Sequence, residues 1–315
     1  MKFPNLKGKV LLAPMAGITN VAFRTLCVEL GAAAAYTDMV SANAIACADE
    51  KLIAKLVDID KSEKVKILQL FGEDSKNFID AALKIQKRVD IIDLNFGCPS
   101  TNIICQGAGS KILTDSKKIK DIVKGLTDAV SVPVTVKMRL SFDKEKSKAI
   151  DNARLIEKCG ASALAVHGRT AEQGYSGKSD WSFIKKIKDE VSIPVLGNGD
   201  IVDPKSAMAM FEQTGCDYEI VARAAKDNPY FFTQVNHYFK TGELLPNLPY
   251  DEKIKLLYRY YDLLDKFKIN NFENMRQTAQ NFTCGYTGAA KLRFKLNSAK
   301  SLDEIKAVLD GFKED

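Results

Sequence analysis

Histidine is almost missing from this chain, with His167 and His237 the only two in 315 residues. The seven cysteines (Cys27, Cys47, Cys98, Cys105, Cys159, Cys216 and Cys284) are scattered and form no CxxC pair. Neither residue type supplies a zinc ligand set at recognisable spacing, and no metal is expected. An odd number of isolated cysteines reads as reduced thiols, the condition of a cytoplasmic protein. Met1-Lys2-Phe3-Pro4-Asn5 is followed by no signal-peptide core, so nothing there points to export. No apolar run approaches the ~18 residues of a membrane helix. No GxGxxG follows a strand-like run. Gly107-Ala108-Gly109 comes closest, but it lies after a loop and lacks the third glycine, which argues against a dinucleotide-binding Rossmann domain. The net charge of +6 permits an anionic partner without demanding one.

Short apolar runs alternate with amphipathic segments along residues 1–242. Strands are expected near 10–16, 33–40, 65–71, 91–95, 134–140, 163–167, 194–197 and 219–222. The segment 75–89 carries Phe78, Ile79, Ala82, Ile85 and Val89 at helical spacing. Asn20 is a helix N-cap candidate, Asp203-Pro204 reads as a cap and a first-turn proline, and Gly215 ends that helix. Eight strand–helix units in succession predict an α/β fold, a (β/α)8 TIM barrel. After Gly242 the texture changes. Leu245-Pro246-Asn247-Leu248-Pro249 reads as a linker, and the rest is helical in pattern. We therefore expect a barrel domain over 1–242 and a small all-helical domain over 243–315.

The chemistry-bearing residues collect where these strands end, the face on which barrel active sites assemble. In Asp93-Leu94-Asn95-Phe96-Gly97-Cys98-Pro99 a thiol stands between a turn-forming glycine and a proline that cannot extend a strand. A packing cysteine would sit inside an element, so Cys98 reads as functional, with simple packing as the alternative. Lys137 is a cation within a barrel strand, and it either meets an anion at the mouth or forms a buried ion pair. Gly197-Asn198-Gly199-Asp200 and Ala222-Arg223-Ala224 suggest backbone amides offered to a phosphate. Met15, Met39 and His167 each admit a core reading beside a site reading. Cys105 reads as a second thiol without function. Residues 274–302 hold Arg276, Lys291, Arg293, Lys295 and Lys300 without one acid, beside Phe282, Tyr286 and Phe294. That pattern suits an RNA backbone, though a solvated face would share it.

Longer runs are more specific. Leu12-Ala13-Pro14-Met15-Ala16-Gly17-Ile18-Thr19-Asn20 with Phe23-Arg24, then Thr37-Asp38-Met39-Val40-Ser41, resemble the opening of the tRNA-dihydrouridine synthases. So do Asn95 to Ser100, Gly107 to Leu113, Pro133 to Arg139, His167-Gly168-Arg169-Thr170 through Trp181, Gly197 to Ile201, and Arg223-Ala224-Ala225 with Asn228-Pro229. Gly285-Tyr286-Thr287-Gly288-Ala289 with Leu292-Arg293 matches in the tail. The resemblance runs in order through nearly the whole chain.

That resemblance implies an FMN-dependent, cytoplasmic, monomeric enzyme that saturates the C5=C6 bond of selected tRNA uridines. NADPH (or NADH) reduces the flavin and leaves before tRNA enters. By similarity, Pro14, Met15 and Ala16 edge the flavin ring, Gln69 and Lys137 hydrogen-bond it, and His167, Asn198, Gly199, Asp200, Ala222 and Arg223 hold its phosphate end. Asn95 meets the uracil and Cys98 donates the proton to C5; Arg139 orients the uracil or a phosphate, and the charge pattern of the tail makes Arg293 and Lys295 the tRNA contacts. The division then becomes an FMN-binding catalytic barrel and a tRNA-recognition tail. Asn102 replaces a usual lysine, so one tRNA or base contact is expected to be missing there. Tyr218 and Ala222 replace glycines near the phosphate loop, so crowding of the phosphate approach is expected; and Leu140-Ser141 replaces the usual glycine after the arginine. Two rivals remain: a small-molecule flavin oxidoreductase resembling dihydroorotate dehydrogenase, and an RNA-binding protein with a vestigial barrel.

Overall fold

The computed structural model describes residues 1–146 and 148–312. Its eight strands, β1 (Val10–Leu12), β2 (Ala35–Ser41), β3 (Lys66–Phe71), β4 (Ile91–Phe96), β5 (Val134–Arg139), β6 (Ala163–His167), β7 (Val195–Asn198) and β8 (Tyr218–Val221), pair in parallel and in sequence order, and β8 closes on β1. This is the expected (β/α)8 barrel, with every strand within a few residues of its expected place. The main difference is β1. It stops at Leu12 because Pro14 has no N–H for a ladder, and Ala13 to Ala16 run on as irregular backbone into the mouth.

Helices α1 (Val21–Glu29), α2 (Ala42–Cys47), α3 (Glu50–Leu56), α4 (Ser75–Ile85), α5 (Thr101–Ile104), α6 (Ser116–Ala129), α7 (Lys148–Lys158), α8 (Trp181–Glu190) and α9 (Pro204–Thr214) surround the strands. The expected caps are in place. The Asn20 side chain accepts from Phe23 N, Asp203 and Ser206 form a reciprocal capping box, and Gly215 closes α9 with φ +66°.

Alternation along the strands divides the barrel into two cores. On β4, Ile92, Leu94 and Phe96 face outward into the large core under the helices, while Ile91, Asp93 and Asn95 face the barrel axis. The lower interior is apolar, filled by Leu11, Tyr36, Ile67, Ile91, Leu196 and Ile220. Tyr218 belongs to this lower plug. Its ring lies 5.6 Å from that of Phe3, and its hydroxyl accepts from Leu6 N at 3.3 Å. The expectation that Tyr218 crowds the phosphate approach is therefore overturned, because the side chain fills the opposite end of the barrel.

Beyond β8 the chain is helical: α10 (Arg223–Asp227), α11 (Phe231–Thr241), α12 (Tyr250–Lys266), α13 (Phe272–Phe282), α14 (Ala289–Ser298) and α15 (Leu302–Asp310). A polar chain fastens this segment to the loop after β1. Asn20 Nδ2 donates to the Tyr260 hydroxyl, that hydroxyl donates to Asn274 Oδ1, and Asn274 Nδ2 donates to Gly17 O, each at 3.0 Å. Among the described residues no helix is long and apolar enough to cross a membrane.

Candidate active site

A cavity of about 490 Å³ opens at the C-terminal ends of the strands. Pro14, Met15, Ala16, Gln69, Asn95, Cys98, Lys137, Arg139, His167, Asn198, Gly199, Asp200, Ala222 and Arg223 all line it. The fold thus brings every barrel residue assigned to the site to one place. Met39 lines it too, which favours the site reading for both methionines.

Cys98 is free, half-buried and held by its backbone from three directions. Asn95 Oδ1 accepts from Gly97 N at 3.1 Å and from Cys98 N at 2.9 Å, a local side-chain turn that replaces the strand ladder. The Cys98 carbonyl accepts from Ser110 N and Oγ, and Arg139 Nε donates to Gly97 O at 3.0 Å. Gly109 lets the following turn close on this loop. With φ +61°, any Cβ there would lie 2.7 Å from the Cys98 carbonyl oxygen. Gly109 therefore serves close backbone approach. Cys105 sits exposed at the end of α5 and does not line the cavity.

Lys137 forms no hydrogen bond or ion pair with a described residue, which removes the buried-pair reading. Burial and the Arg139 charge push its ammonium down to about 8, opposed by Asp93. His167 is pushed down to about 2, chiefly by burial and then by Lys137, Arg139, Arg169 and Arg223, so its imidazole is neutral. The cavity carries more positive than negative charge, because Asp200 is already engaged. Its carboxylate accepts from Arg169 at 2.7 and 2.8 Å, from Ser179 N at 2.7 Å and from Arg223 at 3.3 Å. Burial opposes its ionisation, but the Ser179 N–H and the arginines outweigh that and hold its pKa below the usual range.

Arg139 does more than the sequence suggested. Its NH1 donates to Thr170 O at 2.8 Å and to Gly174 O at 2.7 Å, so it ties the cysteine loop to the loop after β6. The exposed ring of Tyr175, at the tip of that second loop, has the Arg139 and Arg223 guanidinium carbons 5.6 and 5.3 Å from its centroid. Asp93, Thr135, Arg169 and Tyr175 were not proposed as site residues. A charged residue inside an apolar strand, as in Ile91-Ile92-Asp93-Leu94, was the signal for the first.

In the tail, Phe282 is core and Tyr286 is partly buried against Tyr250, which leaves Phe294 as the exposed aromatic of the three. Arg276 pairs with Glu273 and donates to Asn297 O. Lys291, Lys295 and Lys300 are exposed, and Arg293 is half-buried.

The family model described as "Dihydrouridine synthase (Dus)" matches residues 11–315. The tRNA-dihydrouridine synthase B of Escherichia coli (strain K12) is 40% identical over 253 residues, which cover 80% of this chain and 78% of that protein. The enzyme of the same name from Vibrio vulnificus (strain CMCP6) is 38% identical over 270 residues, 85% of this chain and 84% of that one. Among solved structures, histamine dehydrogenase from Rhizobium sp. 4-9 superposes with a TM-score of 0.58 at 14% identity over 82% of this chain and 49% of its own. A 2-naphthoyl-CoA reductase complex gives 0.58 at 12% identity over 74% and 50%. These two likenesses speak to the barrel alone, and the chain spans about half the length of each.

Proposed function

The chain belongs to the dihydrouridine synthase family and is an enzyme of that kind, and on that premise we propose that it reduces selected uridines of tRNA to 5,6-dihydrouridine with FMN as cofactor and NADPH as reductant. The observation that carries this reading is the Cys98 thiol, fixed by its loop on the wall of a cation-rich cavity.

The residues present fit a flavin mononucleotide. The Lys137 ammonium has no protein partner and borders the cavity. Gly199, with φ +114°, lets the end of β7 pack tightly against His167 and Ser179 at the cavity wall, since a Cβ there would lie 2.5 Å from Ser179 Oγ and 2.8 Å from the His167 ring. Pro14, Met15 and Ala16 would edge the ring system, with Gln69 and Lys137 at its polar side. His167, Asn198, Gly199, Ala222 and Arg223 would hold the phosphate end, with Asp200 taking part through its backbone while its carboxylate positions Arg169 and Arg223. When bound, the flavin supplies the hydride that uracil C6 accepts.

The protein's own part is positioning and proton supply. Lys137 neutralises negative charge at the inner end of the cavity. Asn95 and Arg139 border the uracil while holding the loop that carries Cys98. The Cys98 thiol delivers the proton to C5, on which negative charge develops when C6 is reduced. The target base has to leave its stack to come this deep. Residues 243–315 serve as the tRNA-recognition segment, and a cytoplasmic monomer fits the reading.

Separating the half-reactions tests it. Purified protein should be yellow and release FMN on denaturation. Cys98→Ala should retain flavin and be reduced by NADPH at near wild-type rate, while its reduction of tRNA falls by roughly 10²–10⁴. Cys105→Ala should lose little. Normal tRNA turnover by Cys98→Ala would remove Cys98 as the acid, and a protein that takes up no FMN would remove the redox reading altogether.

A further inference from the structure

At the cavity floor the site residues Gln69 and Asn95 continue downward into Asp93 and Thr135, two polar residues that the proposed chemistry does not use. Asp93 is fully buried on the inner face of β4, and the neighbouring strands supply its partners. Gln69 Nε2 donates to Asp93 Oδ2 at 2.7 Å, and Thr135 Oγ1 donates to Asp93 Oδ1 at 2.5 Å. Gln69 Oε1 accepts from Asn95 Nδ2 at 2.8 Å, and Asn95 Oδ1 accepts from Cys98 N at 2.9 Å. One continuous chain of hydrogen bonds therefore links a buried carboxylate to the backbone of the cysteine loop.

The two ends of that chain determine its sense. An ionised carboxylate only accepts, and a backbone N–H only donates. The two side-chain amides between them can each be turned either way, but a single orientation satisfies both ends. If Gln69 turned over, its oxygen would face the Asp93 oxygen and its NH2 would face the NH2 of Asn95. Gln69 is about as buried as Asp93, so solvent offers no substitute partner. Burial lifts Asp93 to about 6, with Gln69, Thr135 and Lys137 opposing the shift, so it stays largely ionised near neutrality.

We propose that Asp93 is a positioning residue: through Gln69 it locks the orientation of the Asn95 amide, and through Asn95 it holds the Cys98 loop where the thiol can reach its target. The same lock fixes which atoms Gln69 and Asn95 turn to the cavity. Asp93 touches neither substrate nor cofactor. The inference rests on the reading of Cys98 as the proton donor, but its geometric part can be measured without that reading.

Asp93→Asn keeps the shape and removes the acceptor-only end, since an amide can present either an oxygen or an NH2 to Gln69. The sense of the chain is then fixed from the Cys98 end alone, and Gln69 donates to a neutral amide instead of a carboxylate, so the weakened chain lets the loop loosen. The rate at which iodoacetamide alkylates Cys98, followed by peptide mapping with Cys105 as internal standard, should rise several-fold while Cys105 is unchanged. In turnover, kcat for tRNA reduction should fall by about 10², the scale of a misplaced reacting group, with KM for tRNA close to wild type. The double variant D93N/Q69E restores a carboxylate to the chain. The amide introduced at position 93 donates to the carboxylate introduced at position 69, whose other oxygen accepts from Asn95. Cys98 alkylation should then return toward wild type even where flavin binding does not. A purely structural role would raise alkylation at Cys98 and Cys105 together and would not be rescued. If Asp93→Asn does not fold, Gln69→Met cuts the same chain one link nearer the loop and carries the same expectation for Cys98. Wild-type alkylation of Cys98 in whichever single variant folds would overturn the proposal. Normal tRNA reduction by Cys98→Ala would instead remove the acid assignment and leave the alkylation result standing.

Discussion

Glu219 is buried on the outer face of β8, and neither of its carboxylate oxygens has a hydrogen-bond partner among the described residues. Burial alone lifts it from the ordinary 4.5 to about 9. The unfolded chain releases this proton near the ordinary value, whereas the folded protein keeps it up to about 9. Over that window the native state binds one proton more than the unfolded state. Stability contributed by this group is therefore complete below the lower value and falls by about 1.4 kcal/mol per pH unit as pH rises toward the upper one. Glu219→Gln should abolish this slope. Urea unfolding between about pH 6 and about pH 8.5 should show the variant gaining steadily on the wild type. Parallel curves for the two proteins would show that Glu219 ionises normally in the fold.

At the scale of elements, the loop after β4 and the turn beginning at Gly109 form one unit. Gly109→Ala combines a φ of +61° with a Cβ 2.7 Å from the Cys98 carbonyl and 2.8 Å from Ile103 Cγ2. The left-handed backbone alone costs about 1–2 kcal/mol for an alanine, and the contact forces the Cys98 loop outward. The variant should keep its flavin and its NADPH half-reaction but lose roughly 10² in tRNA reduction. A tRNA rate equal to wild type would mean the turn does not hold the loop. The strands were legible in the sequence because apolar runs bounded by Gly and Pro report burial on both faces. Caps at Asn20 and Asp203 were legible because capping depends on residues close in sequence. The clamps were not. Arg139 reaches Thr170 and Gly174, and Asp93 reaches Gln69 and Thr135. Such pairs become neighbours only when the barrel closes, so local spacing carries no trace of them. Tyr218 departs from expectation for the same reason: only three residues separate it from Ala222 in the chain, but one lies in the lower plug and the other at the mouth.

Across the whole molecule, the helical tail lies beside the mouth of the barrel. Asn274 on α13 bonds to Gly17, next to the cavity-lining Met15, Ala16 and Ile18. A narrow cleft lined by Gly17, Ile18, Lys226, Tyr260 and Asn274 runs between the two parts, and Lys226 and Ile18 also line the main cavity. A polyanion bound along the tail would thus be continuous with the catalytic opening. The cations available for it are fewer than the sequence suggested, because Arg276 is held by Glu273 and Asn297. Lys291, Lys295 and Lys300 remain exposed beside Phe294, which is 75% exposed, with Arg293 half-buried on the same helix as Phe294. Phosphate contacts of this kind strengthen binding without reading a base. Neutralising Arg293 and Lys295 together should weaken tRNA binding and flatten its dependence on salt by roughly one to two phosphate equivalents. Oxidation of NADPH without tRNA should be unchanged, since neither residue borders the cavity. Binding measured against salt for wild type and the double variant decides the matter. Equal affinities and slopes would place these two cations in solvent and shift tRNA recognition to the cleft beside Lys226.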